Sequence, residues 1–265
     1  MTSPKNSPKQ AMIVAHRGAR DETPENTAVA FDRALAHGVD GIELDVQMSK
    51  DGVPVIYHDR TLHRIIRQRR YIADFSCQEL QSMDWGGWFS SDFSGERLLT
   101  LSTVLSEYAA RTRLLIEVKS RPRDQKSGRS RTLTEKILHE LDAAGPFQPP
   151  LSPYLLSFDP NVLSIAHSSA PRLRLVWNLP DKAGALRQCL SGMRRDPDAF
   201  SHIKGLCVNI GLLSPEVMEL AGVLGKDTLT YTCNSKAQVN KALAAGIDVL
   251  MTDRPGWLLP HLRKI

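Results

Sequence analysis

Three carboxylates stand at alternate positions in two apolar segments of this sequence. In GIELDV, Glu43 and Asp45 are two residues apart, as are Glu117 and Lys119 in LLIEVK. Alternate residues share one face of a strand, and two like charges about 4 Å apart repel by roughly 4 kcal/mol at an effective dielectric constant of about 20. A divalent cation would hold the three acids together, and oxygen ligands favour Mg²⁺ or Ca²⁺ over zinc. The alternative is a set of buried salt bridges with Arg17 and Lys119.

Two histidines end apolar segments that lie near these acids in the chain. His16 closes MIVAH and is followed by Arg17, and His58 closes VPVIYH. A single histidine at a strand end is more often structural, but two histidines beside three acids form a much less accidental set. Cleavage of a phosphodiester needs such a set, because an acid and a base act on either side of phosphorus while cations stabilise its oxygens.

Eight apolar segments alternate with segments of helical period, and they must position these side chains. The predicted strands are residues 12–16, 41–46, 113–118, 154–158, 172–177, 205–210, 228–233 and 248–252. The alternation predicts a parallel sheet. Eight strands favour closure into an α/β TIM (β/α)8 barrel, which keeps its active site at the C-terminal strand ends. An open doubly wound sheet is the alternative, but the G-x-G-x-x-G turn typical after its first strand is absent.

The longest interruption of the pattern follows the second strand. Residues 53–58 predict a further short strand, which leads into an excursion at about 59–100. Residues 120–131 predict a second, flexible excursion. We expect a disordered polar N-terminus over residues 1–10 and a single barrel domain over residues 11–265.

Capping residues mark three helices between the strands. The first is predicted to open with Pro24 in its first turn and to stop at Gly38. Ser214 and Ser235 have the positions of N-caps for two later helices, because their hydroxyls can accept hydrogen bonds from free backbone N–H groups.

Composition restricts the class of protein. The chain has 42% hydrophobic and 24% charged residues, and its net charge of +5 is too small to indicate nucleic acid as a partner. It has no apolar run of 18 residues and no secretory signal, so we expect no stable membrane association and a cytoplasmic location. The separated cysteines predict buried thiols rather than zinc ligands or disulfides: Cys77, Cys189, Cys207 and Cys233.

Several stretches together resemble the glycerophosphodiester phosphodiesterase family in its small cytosolic bacterial form. They are HRGAR…PENT at 16–27, GIELDVQMSKDGVPVIYHD at 41–59, IEVK at 116–119, LLSFDP at 155–160, YTCN at 231–234 and GIDVLMTDRP at 246–255. They follow the family's order over nearly the whole chain. The resemblance implies hydrolysis of deacylated phospholipids, small-molecule glycerophosphodiesters, to sn-glycerol 3-phosphate and an alcohol such as choline or ethanolamine.

The resemblance also implies roles for the residues named above. One divalent cation, Mg²⁺ or Ca²⁺, would be bound by Glu43, Asp45 and Glu117. The acid–base pair would be His16 and His58, and the phosphate would be bound by Arg17 and Lys119. In the mechanism that we favour, His16 deprotonates the glycerol 2-hydroxyl and His58 protonates the leaving alcohol, and direct attack by water is the alternative.

Other residues bear on substrate choice. Phe158 and Tyr231 are predicted to line the apolar side of the glycerol or alcohol pocket, although strand-end aromatics often belong to the core. Basic loops at 64–70 and 121–131 are predicted to border the same C-terminal end of the barrel and to attract anionic substrates, unless they are simply solvated. The remaining alternatives are phospholipase D-like cleavage of lysophospholipids and a non-catalytic phosphate-binding barrel. The sequence makes no prediction of oligomeric state.

Overall fold

A computed structural model of the protein describes residues 11–263, and the prediction for residues 1–10 lies outside them. The strands are β1 Met12–His16, β2 Gly41–Met48, β3 Pro54–Ile56, β4 Arg113–Val118, β5 Tyr154–Ser157, β6 Arg174–Asn178, β7 Gly205–Asn209, β8 Asp227–Tyr231 and β9 Val249–Thr252. The helices are α1 Ala28–His37, α2 His63–Ile66, α3 Cys77–Gln81, α4 Leu101–Tyr108, α5 Pro122–Lys126, α6 Arg129–Ala143, α7 Pro160–Ser169, α8 Ala183–Arg195, α9 Pro215–Val223, α10 Lys236–Ala244 and α11 Pro255–Leu262. Short 3₁₀ turns lie at Ile72–Asp74, Ser91–Phe93 and Asp198–Phe200.

Eight parallel strands close into a barrel. Around it the order is β1, β2, β4, β5, β6, β7, β8 and β9, and pairing of β1 with β2 completes the circle. The predicted TIM barrel is therefore confirmed, and the open doubly wound alternative is wrong. Each of the eight predicted strands is present, with ends that differ from the prediction by a few residues.

Side chains alternate between the inside and the outside of the barrel. In β2, Ile42, Leu44 and Val46 pack outward in the large core beneath the helices. The barrel interior has its own apolar cluster, whose members come from seven of the eight strands: Val14, Leu115, Tyr154, Leu156, Val176, Cys207, Leu229, Val249 and Met251. Burying each Leu or Val side chain contributes about 1.5–3 kcal/mol. This apolar floor leaves the C-terminal strand ends, which we call the mouth, for polar side chains.

The excursion after β2 is an ordered attachment to the mouth. Strand β3 pairs antiparallel with the end of β2, with Val46 opposite Ile56, and so places His58 close to the last residues of β2. The excursion has a small core of its own, made of Val55, Tyr57, Leu62, Ile72, Leu80, Trp85 and Leu98. Its packing fixes the position of His58 relative to the barrel.

The excursion predicted over residues 120–131 has regular secondary structure, and its flexibility stays a prediction. Helix α5 and the start of α6 occupy most of this segment. Pro122 suits the first helical position, because its fixed φ matches the helix and its missing N–H leaves no donor unpaired. The guanidinium of Arg129 docks α6 on β2 by donating to the carbonyl oxygens of Met48 at 2.8 Å and Ser49 at 3.1 Å.

Helix α1 begins four residues later than predicted. Thr27 is its N-cap, and the preceding residue, Asn26, has a φ of 61°, which no helix can include. Asn26 is held there by contacts with the mouth that are described below. The predicted stop at Gly38 and the N-caps at Ser214 and Ser235 are confirmed.

The predictions on membrane association and on the cysteines can be compared with the structure of residues 11–263. No helix between residues 11 and 263 has both the length and the apolar character needed to cross a bilayer. All four cysteines are free, and two of them, Cys207 and Cys233, are buried. The cytoplasmic location stays a prediction from the sequence.

Candidate active site

Three carboxylates meet at the mouth, as the strand pattern predicts. In the strand register His16 lies opposite Glu43, and Asp45 lies opposite Glu117. One oxygen from each of Glu43, Asp45 and Glu117 lies within 4.8 Å of the others. The three residues are 2%, 0% and 8% exposed, so water screens their mutual repulsion little.

Two of the carboxylates have cationic partners. Lys119 Nζ lies 2.7 Å from both Asp45 Oδ1 and Glu117 Oε1. Arg17 Nε lies 2.9 Å from Asp45 Oδ2, and Asn26 Nδ2 donates to the same oxygen at 2.9 Å. Burial alone would raise the pKa of Asp45, but Lys119 and Arg17 together hold this pKa far below its usual range. Asp45 and Glu117 therefore match the salt-bridge alternative.

Glu43 does not match that alternative. Its Oε2 is buried and has no hydrogen-bond partner among the described residues. Burial, and then the charges of Asp45 and Glu117, raise the pKa of Glu43 well above its usual value. An orphaned carboxylate oxygen in an all-oxygen cluster fits a hard divalent cation such as Mg²⁺ or Ca²⁺. Because metal ligation requires the charged form, binding of a cation would release a proton here.

His16 is held by a carboxylate that our sequence reasoning missed. Its Nδ1 lies 2.7 Å from Asp253 Oδ1, and its Nε2 lies 3.9 Å from Glu43 Oε2. Burial and then the charge of Arg17 lower the pKa of His16 to about 4, so the imidazole is neutral. Burial would raise the pKa of Asp253, but the hydrogen bond with His16 helps to bring it to about 2. The ionised Asp253 accepts the Nδ1 proton, which leaves the lone pair of Nε2 on the side of the cluster.

His58 reaches the mouth from the excursion. Its side chain is 34% exposed, and its Nδ1 lies 3.1 Å from Asp59 Oδ1. It borders a cavity of about 530 Å³ together with Glu117, Lys119 and Phe158, which we call the His58 cavity. The two predicted histidines therefore meet the acidic cluster from different elements, and His58 is the one more open to solvent.

Backbone geometry explains why the first strand ends in His-Arg-Gly. Arg17 and Gly18 both have positive φ, 62° and 84°. A Cβ on Gly18 would lie 2.6 Å from the carbonyl oxygen of Ala30, so only glycine fits against α1. The reversal also lets the Arg17 N–H donate to the carbonyl oxygen of Glu43 at 2.9 Å. The arginine side chain is thereby turned back into the mouth.

The two predicted aromatic residues lie at the mouth. The rings of His16 and Tyr231 stack with centroids 6.5 Å apart, and Phe158 meets Tyr231 edge-on at 6.5 Å. Tyr231 also donates its hydroxyl proton to Asp181 Oδ1 at 2.7 Å, a partner that the sequence did not indicate. Phe158 is 39% exposed and so presents apolar surface toward solvent.

The predicted basic rim divides into two groups of arginines. In the first group each guanidinium has a carboxylate: Arg64 pairs with Glu25 and Asp59, Arg70 with Asp74, and Arg131 with Glu135. Arg121 belongs to the second group, because it donates to neutral acceptors, the side-chain oxygen of Gln47 at 2.9 Å and the carbonyl oxygen of His58 at 3.2 Å.

The chain matches the Glycerophosphoryl diester phosphodiesterase family over residues 16–257. It is 29% identical over 264 residues to a glycerophosphodiester phosphodiesterase of Caldanaerobacter subterraneus, and the match covers 96% of this chain and 99% of that one. A glycerophosphodiester phosphodiesterase of Bacillus altitudinis is 29% identical over 245 residues, covering 92% and 94%. The fold is similar to that of an Oleispira antarctica phosphodiesterase in complex with the product sn-glycerol-3-phosphate, with a TM-score of 0.79, 23% identity and coverage of 95% and 96%.

Proposed function

Because the chain belongs to the glycerophosphoryl diester phosphodiesterase family, we propose that it hydrolyses glycerophosphodiesters to sn-glycerol 3-phosphate and an alcohol, using one divalent cation and two histidines. The chain is accordingly a phosphoric diester hydrolase. The observation that carries the proposed mechanism is the buried, unpartnered Oε2 of Glu43, which lies in a cluster of three carboxylates within 3.9 Å of Nε2 of His16.

Glu43, Asp45 and Glu117 would hold the cation, Mg²⁺ or Ca²⁺. When bound, it supplies positive charge to stabilise the phosphoryl oxygens. Arg17 and Lys119 lie within 3 Å of Asp45, so their cationic groups stand at the edge of the same cluster. There they would bind the non-bridging oxygens of the phosphate, and the planar guanidinium would also fix its orientation.

The histidines would move the protons. His16 Nε2 takes the proton of the glycerol 2-hydroxyl, whose oxygen then attacks phosphorus to form a cyclic phosphate. His58 gives a proton to the oxygen of the leaving alcohol as its bond to phosphorus breaks. Water then opens the cyclic phosphate, with the proton transfers reversed. In the alternative, His16 deprotonates a water molecule that attacks phosphorus directly.

A substrate panel tests the proposed activity. We expect glycerol 3-phosphate together with choline, ethanolamine or inositol from the corresponding glycerophosphodiesters when Mg²⁺ or Ca²⁺ is supplied. Lysophosphatidylcholine should be a poor substrate, because only Phe158 and Val223 are exposed large apolar residues between residues 11 and 263. Faster turnover of lysophosphatidylcholine than of glycerophosphocholine would favour the phospholipase D-like alternative. Binding of the diesters without turnover would favour a non-catalytic barrel.

Replacing His58 with alanine is expected to have an effect that depends on the leaving group. With glycerophosphocholine, an alkyl diester, kcat should fall by about 100-fold or more, because a poor leaving group needs a proton donor. With sn-glycero-3-phospho-p-nitrophenol the loss should be less than about tenfold, because nitrophenolate leaves without protonation. Initial rates with both substrates, measured on the same preparation, give the comparison.

The matched control for this variant is His63→Ala, an exposed histidine in α2 of the same excursion. It should leave the rates with both substrates within twofold of the wild-type rates. Equal losses with the two leaving groups in His58→Ala would show that His58 is not the acid for the alcohol.

A further inference from the structure

A second cavity adjoins the His58 cavity. Its volume is about 390 Å³, and it lies between the excursion, the end of β2 and helices α5 and α6. The two cavities share three lining residues, Arg60, Lys119 and Arg121. We call the second one the arginine cavity after the side chains that line it, Arg60, Arg121, Arg123 and Arg129, and Tyr71 also borders it.

The arginines of this cavity lack the carboxylate partners that Arg64, Arg70 and Arg131 of the same loops have. Between residues 11 and 263, none of the four has a carboxylate oxygen within 4 Å, whereas Arg64, Arg70 and Arg131 each form an ion pair. Arg129 donates to backbone carbonyl oxygens.

Positive charge exceeds negative charge in the lining of the arginine cavity. Arg123 lies over the ring of Tyr71, with 4.8 Å between the guanidinium carbon and the ring centroid. Asp124 is the one acidic residue among the residues that line the cavity, against four arginines and Lys119, and Lys119 is paired with Asp45 and Glu117.

A cluster of arginines without carboxylate partners is suited to bind an anion such as phosphate. Guanidinium groups bind phosphate oxygens through paired, charge-assisted hydrogen bonds, and they repel one another when no anion is bound. A half-buried cation such as Arg121, with only neutral acceptors, gains most from an anionic ligand because little water screens it. Cavities of a few hundred Å³ are of the size that binds small molecules.

The position of the arginine cavity relates it to the leaving alcohol. His58, the proposed proton donor to that alcohol, borders the His58 cavity, and Arg60 and Arg121 line both cavities. An alcohol that leaves on the side of His58 would therefore lie beside Arg60 and Arg121, at the entrance of the arginine cavity. On the basis of the proposed function, we propose that the arginine cavity binds a phosphate monoester carried by the alcohol, so that the enzyme prefers glycerophosphodiesters with phosphorylated headgroups.

Two substrates that differ only in this group test the proposal. Wild-type kcat/KM should be at least about tenfold higher for glycerophosphoinositol 4-phosphate than for glycerophosphoinositol, since charge-assisted hydrogen bonds from the guanidinium groups would stabilise the bound monoester. In the double variant Arg123→Gln, Arg129→Gln this ratio should fall to within about twofold of one, and the rate with glycerophosphoinositol should stay within twofold of wild type. Arg123→Gln alone should lower the ratio partly, which keeps the test valid if the Arg129 substitution disturbs α6.

The matched control is Arg131→Gln, on the same helix as Arg129 but paired with Glu135. It should leave the ratio unchanged, and the ratio should persist at moderate ionic strength, because direct contacts are screened less than a long-range field. A ratio that Arg131→Gln lowers as much as the double variant does, or that salt abolishes, would show general attraction of anions and overturn the subsite. A wild-type ratio near one with active hydrolysis of glycerophosphoinositol would also overturn the subsite alone. If glycerophosphocholine is hydrolysed but neither inositol compound is, the subsite is overturned and the proposed function stands. If none of the three compounds is hydrolysed, the proposed function itself is overturned.

Discussion

Replacing Glu43 with glutamine is expected to lower kcat/KM for glycerophosphocholine by about 1000-fold or more. The substitution keeps the side-chain volume and removes the one carboxylate of the cluster that forms no ion pair with a lysine or arginine between residues 11 and 263. Asp45 and Glu117 already contact Lys119 at 2.7 Å, so Glu43 is the residue whose charge most requires a cation. Steady-state kinetics at saturating Mg²⁺ or Ca²⁺ gives the loss, and calorimetric titration of the chelated protein should show weaker binding of the cation.

The same variant separates a metal ligand from a structural residue through its stability. Without metal, Glu43→Gln should unfold at the wild-type temperature or slightly above it, because an unpaired buried carboxylate no longer has to be accommodated. With metal, the wild-type unfolding temperature should rise and that of the variant should rise less, because a ligand stabilises the state that binds it.

The expected control results are equally specific. Glu216→Gln, at an acid paired with Arg194 on the surface, should behave as wild type. Chelation should abolish wild-type turnover. Full activity of the chelated wild-type protein would contradict the role of the cluster as a metal site.

The barrel and its acidic cluster could be predicted because they depend on short-range pattern. Alternation within β2 and β4 assigns Glu43, Asp45 and Glu117 to the barrel interior, and parallel strands bring their ends to one edge. The neighbouring salt bridges were also foreseeable in kind, since Lys119 follows Glu117 by two residues. The sequence did not show which of the three acids has a cationic partner. Asp45 and Glu117 are paired with Lys119, and Glu43 is not.

Contacts between segments that are distant in the chain were not predicted from the sequence. Asp253 and His16 are 237 positions apart, and only closure of the barrel between β9 and β1 joins them. The signal that could have found Asp253 lay in TDRP, within a stretch already noted for its resemblance. Asn26 likewise reads as the first turn of a helix, because its hydrogen bond to Asp45 belongs to the folded state alone.

The sequence also does not show which arginines of the basic loops are paired with carboxylates. Arg64 and Arg121 have the same residue type and lie in similar basic runs, so the sequence alone does not distinguish them. In the fold, Arg64 lies 2.7 Å from Glu25 and 2.9 Å from Asp59, whereas Arg121 finds only amide and carbonyl oxygens. The difference arises from how the excursion packs on the barrel.

Replacing His16 with glutamine is expected to lower kcat by about 1000-fold, because the proposed general base is removed. Unlike the loss in His58→Ala, this loss should be the same for glycerophosphocholine and for the p-nitrophenyl diester, since deprotonation of the nucleophile is needed whichever alcohol leaves. Single-turnover rates with both diesters test this directly. His139→Gln, at an exposed histidine of α6, is the matched control and should retain wild-type rates.

A partial loss of kcat in Asp253→Asn would show that the activity of His16 depends on its tautomer. Asp253 accepts the Nδ1 proton at 2.7 Å and would stabilise the imidazolium that forms once Nε2 takes a proton. An amide can still accept that hydrogen bond but carries no charge, so we expect kcat to fall by about 10–100-fold with little change in KM. Asp227→Asn, at a carboxylate paired with Arg174 at the opposite end of β8, should change neither constant. If His16→Gln retained more activity than Asp253→Asn, or if the two leaving groups responded differently to His16→Gln, His16 could not be the base that starts the reaction.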